Sequence, residues 1–342
     1  MAPAYSRASL WCAHPRLKDG EAFSSWLHRS AFANGMSDHT YCRYVFGERP
    51  VWNRDVDHFA DEAMLERASK ATGEAVPRLR AATLRKYEGV LYESLGEAQM
   101  PWVLSLGIYH RLRRRHGQQF CSECLRQNEP WLRLHWRLAW VTCCLEHRSI
   151  LRDACPKCDS PLIFHRAAPD LASRLRCHRC GADVSGYDGR VPAVEETLRL
   201  QAWLETALTE QSANIGEQRV TVRELFGGLR VLVRGTYDKA RLRGMQAAFD
   251  AKEASRPKFS IERWRLPHRI FAMRALAVAL DDWPTSFRHL CRANRILRAR
   301  FESRSEDVDR APRWIRTAFD DIMYPGVARR DKRSTQLVDA SR

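Results

Sequence analysis

Four short pairs of Cys and His residues decide how the middle of this chain folds. In chain order they are Cys121-Ser-Glu-Cys124, Cys144-Leu-Glu-His147, Cys155-Pro-Lys-Cys158 and Cys177-His-Arg-Cys180. Two-residue spacing lets both donors of a pair point from one tight turn at the same ion, and two such turns complete a tetrahedral zinc site. Eight donors in four matched pairs are not expected of buried cysteines without a metal. The sequence therefore predicts two bound Zn2+ ions.

The order of these pairs leaves two ways of sharing the ions. Either neighbouring pairs combine, as in tandem zinc ribbons, or the pairs interleave in a cross-brace, and both arrangements use the same eight ligands. Each neighbouring combination closes a loop of suitable ribbon length, which favours sequential sites. Four protein ligands leave no open position on either ion, so both ions are expected to be structural and not catalytic.

The other Cys residues are not expected to bind metal. Cys143 directly precedes Cys144, but only Cys144 has the two-residue spacing to His147, so Cys143 is assigned to the core. Further Cys and His residues lack a partner at ligand spacing: Cys12, Cys42, Cys291, His135 and His165. The three isolated Cys residues are predicted to be small buried apolar side chains.

The composition is that of a globular protein. The 342 residues include 44% hydrophobic residues, with 11 Trp and 13 Phe, which is enough to build the cores of two or three domains. No apolar run reaches the roughly 18 residues that cross a bilayer, and the N-terminus lacks the long apolar stretch of a signal peptide. We therefore expect a cytoplasmic protein whose thiols are kept reduced.

The chain is strongly basic, with 57 Lys and Arg against 41 Asp and Glu, a net charge of +16 and a pI near 9.7. Basic side chains that neutralise phosphates release counterions and gain affinity, so this balance indicates a nucleic-acid partner. The alternative is a basic protein that merely stays soluble. Clustering of the basic residues favours nucleic acid.

Residues 1–116 are predicted to form a helical domain. Apolar residues at helical spacing predict a first helix over residues 21–34, ending at Gly35. A second helix is expected to start at Asp57 and to end at Gly73, and Pro77 begins a short third one. The second helix is expected to bury Phe59, Ala63, Leu65 and Ala68, and the third Leu79 and Leu84.

The second and third of these helices have the outline of a helix-turn-helix unit. The alternative is a plain helical hairpin with a basic face. Basic residues near the third helix favour contact with DNA: Arg78, Arg80, Arg85 and Lys86.

Residues 117–190 form the predicted metal-binding region, and residues 191–325 form a second helical domain. The predicted helices of this second helical domain are Glu195–Leu208, Thr221–Val233, Leu266–Asp281 and Pro284–Glu302. Linkers are expected at 211–218 and 252–258, and the polar tail 326–342 is predicted to be disordered. The fold class is mainly α, with a tandem zinc-ribbon region between two helical domains.

Two further groups of Arg residues are candidates for DNA contact. The last predicted helix places Phe287, Leu290, Leu297 and Phe301 on one face and Arg288, Arg292, Arg295 and Arg298 outside it. A helical face that carries almost only positive charges indicates contact with phosphates or with an acidic partner. The second group precedes the first Cys pair and comprises Arg111, Arg113, Arg114 and Arg115, for which a basic linker is the alternative.

The motifs of the first half of the chain resemble the TniQ/TnsD family. The resemblance rests on the first three ligand pairs, on Trp131, Trp136-Arg-Leu, Trp140-Val-Thr, Leu151 and Pro161-Leu, and on the N-terminal segments Gly20–Leu27, Asn34-Gly, Thr72-Gly, Leu79 and Ala82–Leu84. In two positions where the family often has Gly after a ligand pair, this chain has Arg148 and Asp159.

The resemblance implies a helix-turn-helix domain, zinc motifs and a role in choosing or licensing the insertion site of bacterial transposons, including mercury-resistance and CRISPR-associated elements. The implied partners are DNA, an AAA+ ATPase that recruits the transposase, and a CRISPR RNA-guided effector complex. The implied location is the nucleoid. A homodimer would suit a helix-turn-helix reader of two half-sites.

No enzyme motif is found. The chain lacks a GxxxxGK[ST] phosphate loop, HExxH, a GxSxG elbow and the deaminase pairing of His-x-Glu with a later Cys pair. We therefore predict a non-enzymatic transposition adaptor. The alternative is an autonomous zinc-containing helix-turn-helix transcription regulator. A RING-type scaffold that acts only on proteins is disfavoured by the basic charge.

Overall fold

The computed structural model describes residues 10–94, 100–109, 112–127, 129–167, 175–236, 260–294, 296, 301 and 311–320. Helices dominate this part of the chain. They are α1 (Phe23–Ala33), α2 (Asp38–Phe46), α3 (Val56–Phe59), α4 (Glu62–Thr72), α5 (Val76–Ala81), α6 (Ser122–Leu125), α7 (Glu195–Glu210), α8 (Val222–Thr236), α9 (Leu266–Leu280), α10 (Thr285–Ala293) and α11 (Arg313–Asp320).

The strands are short and pair only as antiparallel hairpins within the described residues. They are β1 (Ile108–Tyr109) with β2 (Leu112–Arg113), β3 (Cys143–Cys144) with β4 (Ser149–Ile150), and β5 (Ser212–Ile215) with β6 (Gln218–Thr221). In the second hairpin, Cys143 lies opposite Ile150 and Cys144 opposite Ser149. Single turns of 3₁₀ helix lie at Val51–Asn53, Leu84–Tyr87, Leu134–Arg137, Phe164–Arg166 and Ile261–Arg263.

The N-terminal helices begin and end at residues suited to these positions. The Ser37 hydroxyl accepts a hydrogen bond from the Thr40 amide at the start of α2, and the Asp61 carboxylate accepts one from the Met64 amide at the start of α4. Gly73 ends α4 in the left-handed conformation, with φ of +76°. The first predicted helix is confirmed as α1.

The prediction of one continuous helix from Asp57 to Gly73 is wrong, because two separate helices occupy this stretch. Helix α3 ends at Phe59, the chain is extended at Ala60, and α4 restarts from its Asp61 cap. This restart changes the helical face, so Phe59 is 47% exposed and Ala63 is exposed, although both were predicted to be buried. Leu65, Ala68, Leu79 and Leu84 are buried as predicted. A three-residue turn joins α4 to the short α5.

Three of the predicted C-terminal helices are confirmed as α7, α8 and α9. The expected linker at 211–218 is instead the β5–β6 hairpin, whose turn contains Gly216 at φ of +55°. The last predicted helix ends at Ala293 instead of Glu302, because the chain leaves helical geometry at Asn294. Phe287, Leu290 and Phe301 are buried as predicted. Leu297, the linker 252–258 and the tail 326–342 lie outside the described residues.

One cluster, which extends from Leu17 to Phe319, contains buried apolar side chains from all three predicted domains. Contacts between distant segments join its parts. The Trp102 indole nitrogen donates to the Phe226 carbonyl at 3.0 Å, and the Trp140 and Phe226 rings lie 5.6 Å apart. The metal-binding region is therefore packed against helices on both sides. None of the described helices is long and apolar enough to cross a membrane.

Candidate metal centres

The first ligand set joins helix α6 to the β3–β4 hairpin. Its members are Cys121, Cys124, Cys144 and His147. The Cys124 sulfur lies 3.6 Å from the Cys144 sulfur and 3.2 Å from His147 Nδ1, and Cys144 lies 3.5 Å from the same nitrogen. Four sulfur atoms bound tetrahedrally at about 2.3 Å lie about 3.8 Å apart. The four donors therefore already have nearly the spacing that one zinc ion requires.

The second set has four Cys ligands on two turns of the same construction. Its members are Cys155, Cys158, Cys177 and Cys180, and the sulfur pairs Cys155–Cys180 and Cys158–Cys177 are each 3.6 Å apart. In each turn the first Cys amide donates to a carbonyl five residues later, at 2.8 Å, and its carbonyl accepts from the amide four residues later, at 2.9 Å. This repeated pattern points both sulfur atoms of each turn to one position.

The two sets combine neighbouring pairs along the chain, and not interleaved ones. Within each set all ligand atoms lie within 4.8 Å of one another. Each set supplies four protein donors, which is the number that closes a tetrahedral site. The soft sulfur and imidazole donors fit zinc well.

Residues that follow three of the ligand pairs adopt the left-handed backbone conformation. Arg148 has φ of +48°, Asp159 of +55° and Gly181 of +67°. A side chain in this conformation costs roughly 1–2 kcal/mol relative to Gly. Arg148 and Asp159, which stand where the family often has Gly, therefore keep the turn geometry at a cost in conformational free energy. Each side chain makes a contact: Arg148 pairs with Glu195, and Asp159 accepts from Arg265 Nη2 at 2.8 Å.

Gln201 of α7 holds the chain beside the first set. Its amide oxygen accepts from the amides of Thr142 and Cys143, at 3.0 and 3.1 Å, and its nitrogen donates to the Cys143 carbonyl at 2.8 Å. Cys143 is buried as predicted, and burial raises the pKa of its thiol to about 12. Gln201 could not be predicted from the sequence as a contact of this set, because nothing in its local pattern separates it from a surface residue of α7.

Other polar side chains contact the ligand sulfur atoms. Arg133 donates to the Cys124 sulfur at 3.7 Å and pairs with Glu146. The Ser160 hydroxyl lies 3.1 Å from the Cys158 sulfur and 3.2 Å from that of Cys177. Groups of this kind orient ligands and stabilise thiolates.

The isolated Cys and His residues are not members of either set. Cys42 and Cys291 are buried as predicted, but Cys12 is exposed, because it precedes α1 on the surface. Burial lowers the pKa of His135 to about 3 and that of His165 to about 2.

The predicted DNA-contacting residues lie in different environments. Arg78, Arg80, Lys86, Arg114 and Arg292 are exposed. Arg85, Arg115 and Arg288 are partly buried, and Arg85 Nε donates to the Ala60 carbonyl at 3.0 Å. Arg111, Arg295 and Arg298 lie outside the described residues.

Arg113 contradicts its assignment to a DNA-facing surface. Its side chain is 8% exposed, because its β-hairpin packs against the Phe164 region, and its guanidinium carbon lies 5.8 Å from the Phe164 ring centre. It cannot meet a duplex backbone in this conformation.

Fold and ligand geometry together define a helix-rich protein whose middle is held by two closed four-donor centres. Residues 12–151 match the TniQ family model, a stretch that includes the N-terminal helices and the whole first ligand set. This match agrees with the resemblance to the TniQ family that the sequence motifs indicated. A comparison with curated proteins gave no match.

Proposed function

We propose that this chain is a non-enzymatic adaptor of DNA transposition. It binds DNA, selects or licenses the target site, and connects that site to an AAA+ ATPase and transposase in the bacterial nucleoid. The observation that carries this proposal is the TniQ match over residues 12–151. A CRISPR RNA-guided complex is a further candidate partner for supplying the target address.

The two ligand sets have a structural role in this proposal. Cys121, Cys124, Cys144 and His147 would hold one Zn2+ and the four Cys residues of the second set another. A zinc ion supplies folding free energy by joining its ligands. The first set ties α6 to the β3–β4 hairpin, and the second ties the turns at Cys155 and Cys177.

The proposed DNA-contacting surface includes the exposed basic residues at α5 and the turn after it. Side chains of Arg78 and Arg80 are 48% and 54% exposed, and Lys86 is exposed as well. Arg78 pairs with Asp19 and Arg80 with Glu62, so each is held beside the surface and not extended freely. The net charge of +16 supports binding to a phosphate backbone.

A DNA-binding measurement tests this surface. The triple variant Arg78→Gln, Arg80→Gln, Lys86→Gln is compared with wild type by fluorescence anisotropy on a random 40-base-pair duplex, over a range of salt concentrations. Loss of three phosphate contacts reduces the slope of log affinity against log salt by up to about 2.7. The matched control replaces three exposed Arg residues elsewhere, Arg43, Arg199 and Arg219. Equal slopes for the two triple variants would contradict the assignment.

The adaptor role is tested by its partners. The tagged full chain is recovered from cells that carry the neighbouring genes, after nuclease treatment, and bound proteins are identified by mass spectrometry. Recovery of an AAA+ ATPase or a CRISPR effector supports the adaptor. Recovery of the chain alone, together with tight binding to one DNA sequence, would favour the autonomous transcription regulator.

A further inference from the structure

A pocket of about 400 Å3 lies where the N-terminal domain, the metal-binding region and α7 meet. Its volume is within the range of about 300–1,000 Å3 that is usual for small-ligand sites. Segments that are distant in sequence form its wall, which includes Lys86, Tyr87, His135, Trp140, Glu205 and Leu208. None of the residues that line it belongs to either ligand set. The pocket is therefore separate from both candidate metal centres.

Three side chains of this wall are aromatic rings. Tyr87 and Trp140 are buried, and Trp140 packs against the Phe226 ring. His135 is a neutral imidazole, because burial lowers its pKa to about 3. Flat aromatic rings bind a flat ring of a ligand by stacking, whatever its substituents. The pocket therefore suits a planar aromatic group.

Trp140 carries a hydrogen-bond donor that lacks an acceptor. Its Nε1 makes no hydrogen bond within the described residues. The indole nitrogen atoms of four other buried Trp residues, Trp26, Trp52, Trp102 and Trp314, donate to backbone carbonyls at 2.8 to 3.4 Å. A buried Trp N–H group normally has such a partner. An acceptor atom of a ligand is a candidate partner for this donor.

Glu205 supplies a carboxylate to the same wall. The carboxylate is partly buried, accepts from Gln201 Nε2 at 3.0 Å and forms no ion pair within the described residues. Burial raises the pKa of this carboxyl, and the Gln201 hydrogen bond and the charge of Arg133 offset the rise only in part. A carboxylate has room for about four hydrogen bonds. Glu205 can therefore accept from an amino group of a ligand.

Lys86 distinguishes between two ligands that suit a carboxylate among aromatic rings. One is a cationic side chain, and the other is a base of nucleic acid. Lys86 is exposed, and it belongs with Arg78 and Arg80 to the proposed DNA-contacting surface. A lysine at the pocket repels a cationic ligand but attracts the phosphate that accompanies a base. The charges therefore favour a base.

We propose that this pocket binds an unpaired base of DNA that carries an exocyclic amino group. The inference deepens the proposed function and rests on its DNA-contacting surface. The base lies against the Tyr87 and Trp140 rings, its amino group donates to Glu205, and its phosphate meets Lys86. A carboxylate that accepts from the cytosine N4 amino group is a recurring base contact. The base has to be unpaired, because pairing would occupy its amino group.

The test compares the binding of three labelled duplexes by fluorescence anisotropy at one salt concentration. The first duplex is fully paired, the second contains one unpaired cytosine, and the third has 2-pyrimidinone at that position, which lacks only the amino group. Wild type is expected to bind the cytosine duplex most tightly, by about tenfold over the pyrimidinone duplex. Deoxycytidine monophosphate should compete with the cytosine duplex, and N-acetylarginine amide at equal ionic strength should not.

Glu205→Gln should reduce the tenfold preference to about threefold, because a hydrogen bond to a neutral amide is roughly half as strong as one to a carboxylate. The matched control is Glu210→Gln, which makes the same charge change at an exposed position of the same helix. This control should keep the full preference. Zinc content and melting temperature are measured first to show that both variants fold.

Equal wild-type affinities for the cytosine and pyrimidinone duplexes would overturn the inference, whether or not Glu205→Gln folds. The same holds if Glu210→Gln loses as much of the preference as Glu205→Gln. Competition by N-acetylarginine amide and not by the nucleotide would assign the pocket to a basic side chain of a protein partner instead. Absence of binding to all three duplexes would overturn the proposed DNA contact as well, so the two failures are distinguishable.

Discussion

Arg137 and Asp55 form a bidentate ion pair that is buried between the N-terminal helices and the metal-binding region. Arg137 Nη1 lies 3.1 Å from one carboxylate oxygen of Asp55, and Nη2 lies 2.6 Å from the other. The Arg137 side chain is wholly buried, and Nη2 also donates to the Leu104 carbonyl at 3.0 Å. One side chain of the Trp136-Arg-Leu motif therefore joins three segments of the chain.

Breaking this pair is expected to destabilise the protein strongly. Asp55→Asn removes the bidentate carboxylate and leaves Asp57, at 3.3 Å, as the remaining carboxylate beside the buried Arg137, which costs up to about 3–5 kcal/mol of unfolding free energy. Urea denaturation followed by circular dichroism measures the change. The control is Arg43→Gln, which breaks an exposed pair with Glu48 and costs under about 1 kcal/mol. Equal losses in the two variants would show that the buried pair contributes little.

The stability of the folded protein at low pH is expected to depend on the carboxyl group of Glu262. Burial raises the pKa of its carboxyl, but Arg230 and the Trp102 amide, at 2.7 Å, outweigh burial and hold it below the ordinary value. A lowered native pKa gives stability above the unfolded pKa of about 4.3 that is lost as the pH falls through the native value. Glu262→Gln is therefore expected to be less stable than wild type at pH 7.

The difference between the unfolding free energies of wild type and Glu262→Gln should shrink as the pH falls below the unfolded pKa of about 4.3 and through the lower native value. Both proteins carry the same ligand sets, so loss of metal in acid affects them equally. Denaturation at a series of pH values measures this difference. A difference that stays constant from pH 7 to acid would show that Glu262 does not titrate as described.

Removing one ligand of the second set should unfold the middle of the chain. Cys155→Ser or Cys177→Ser loses a thiolate donor, and a structural zinc site contributes its binding energy to folding. Metal analysis is expected to find one zinc ion fewer per chain, and calorimetry a lower melting temperature. Cys12→Ser changes an exposed Cys outside both sets and should alter neither. Unchanged zinc content and melting temperature in Cys155→Ser would refute the structural role.

Substitution by Gly should have different effects on stability at Arg148 and Asp159, which both have a left-handed backbone conformation. Arg148→Gly relieves about 1 kcal/mol of backbone strain and loses only a pair whose members are 58% and 56% exposed, so its stability should equal or exceed that of wild type. Asp159→Gly also removes one of the two carboxylates that accept from Arg265, the other being Asp153, and should gain less. Chemical denaturation compares them, and a more stable Asp159→Gly than Arg148→Gly would contradict the account.

Several features of the molecule could be predicted from local sequence. The ligand pairs and their sequential combination follow from two-residue spacing and short intervening loops. Helices α1, α7, α8 and α9 follow from apolar residues that repeat with the helical period. These signals lie within a few residues of one another, so the amino-acid sequence by itself determined them.

Other features were decided only by tertiary structure. The sequence does not reveal that Asp55 meets Arg137, 82 positions away, or that Gln201 binds the backbone at Cys143, 58 positions away. Arg113 looks like its exposed neighbour Arg114 in sequence, yet packing against Phe164 buries it. The pairing and burial of a charged side chain depend on which distant segments pack around it, and no local pattern records that choice.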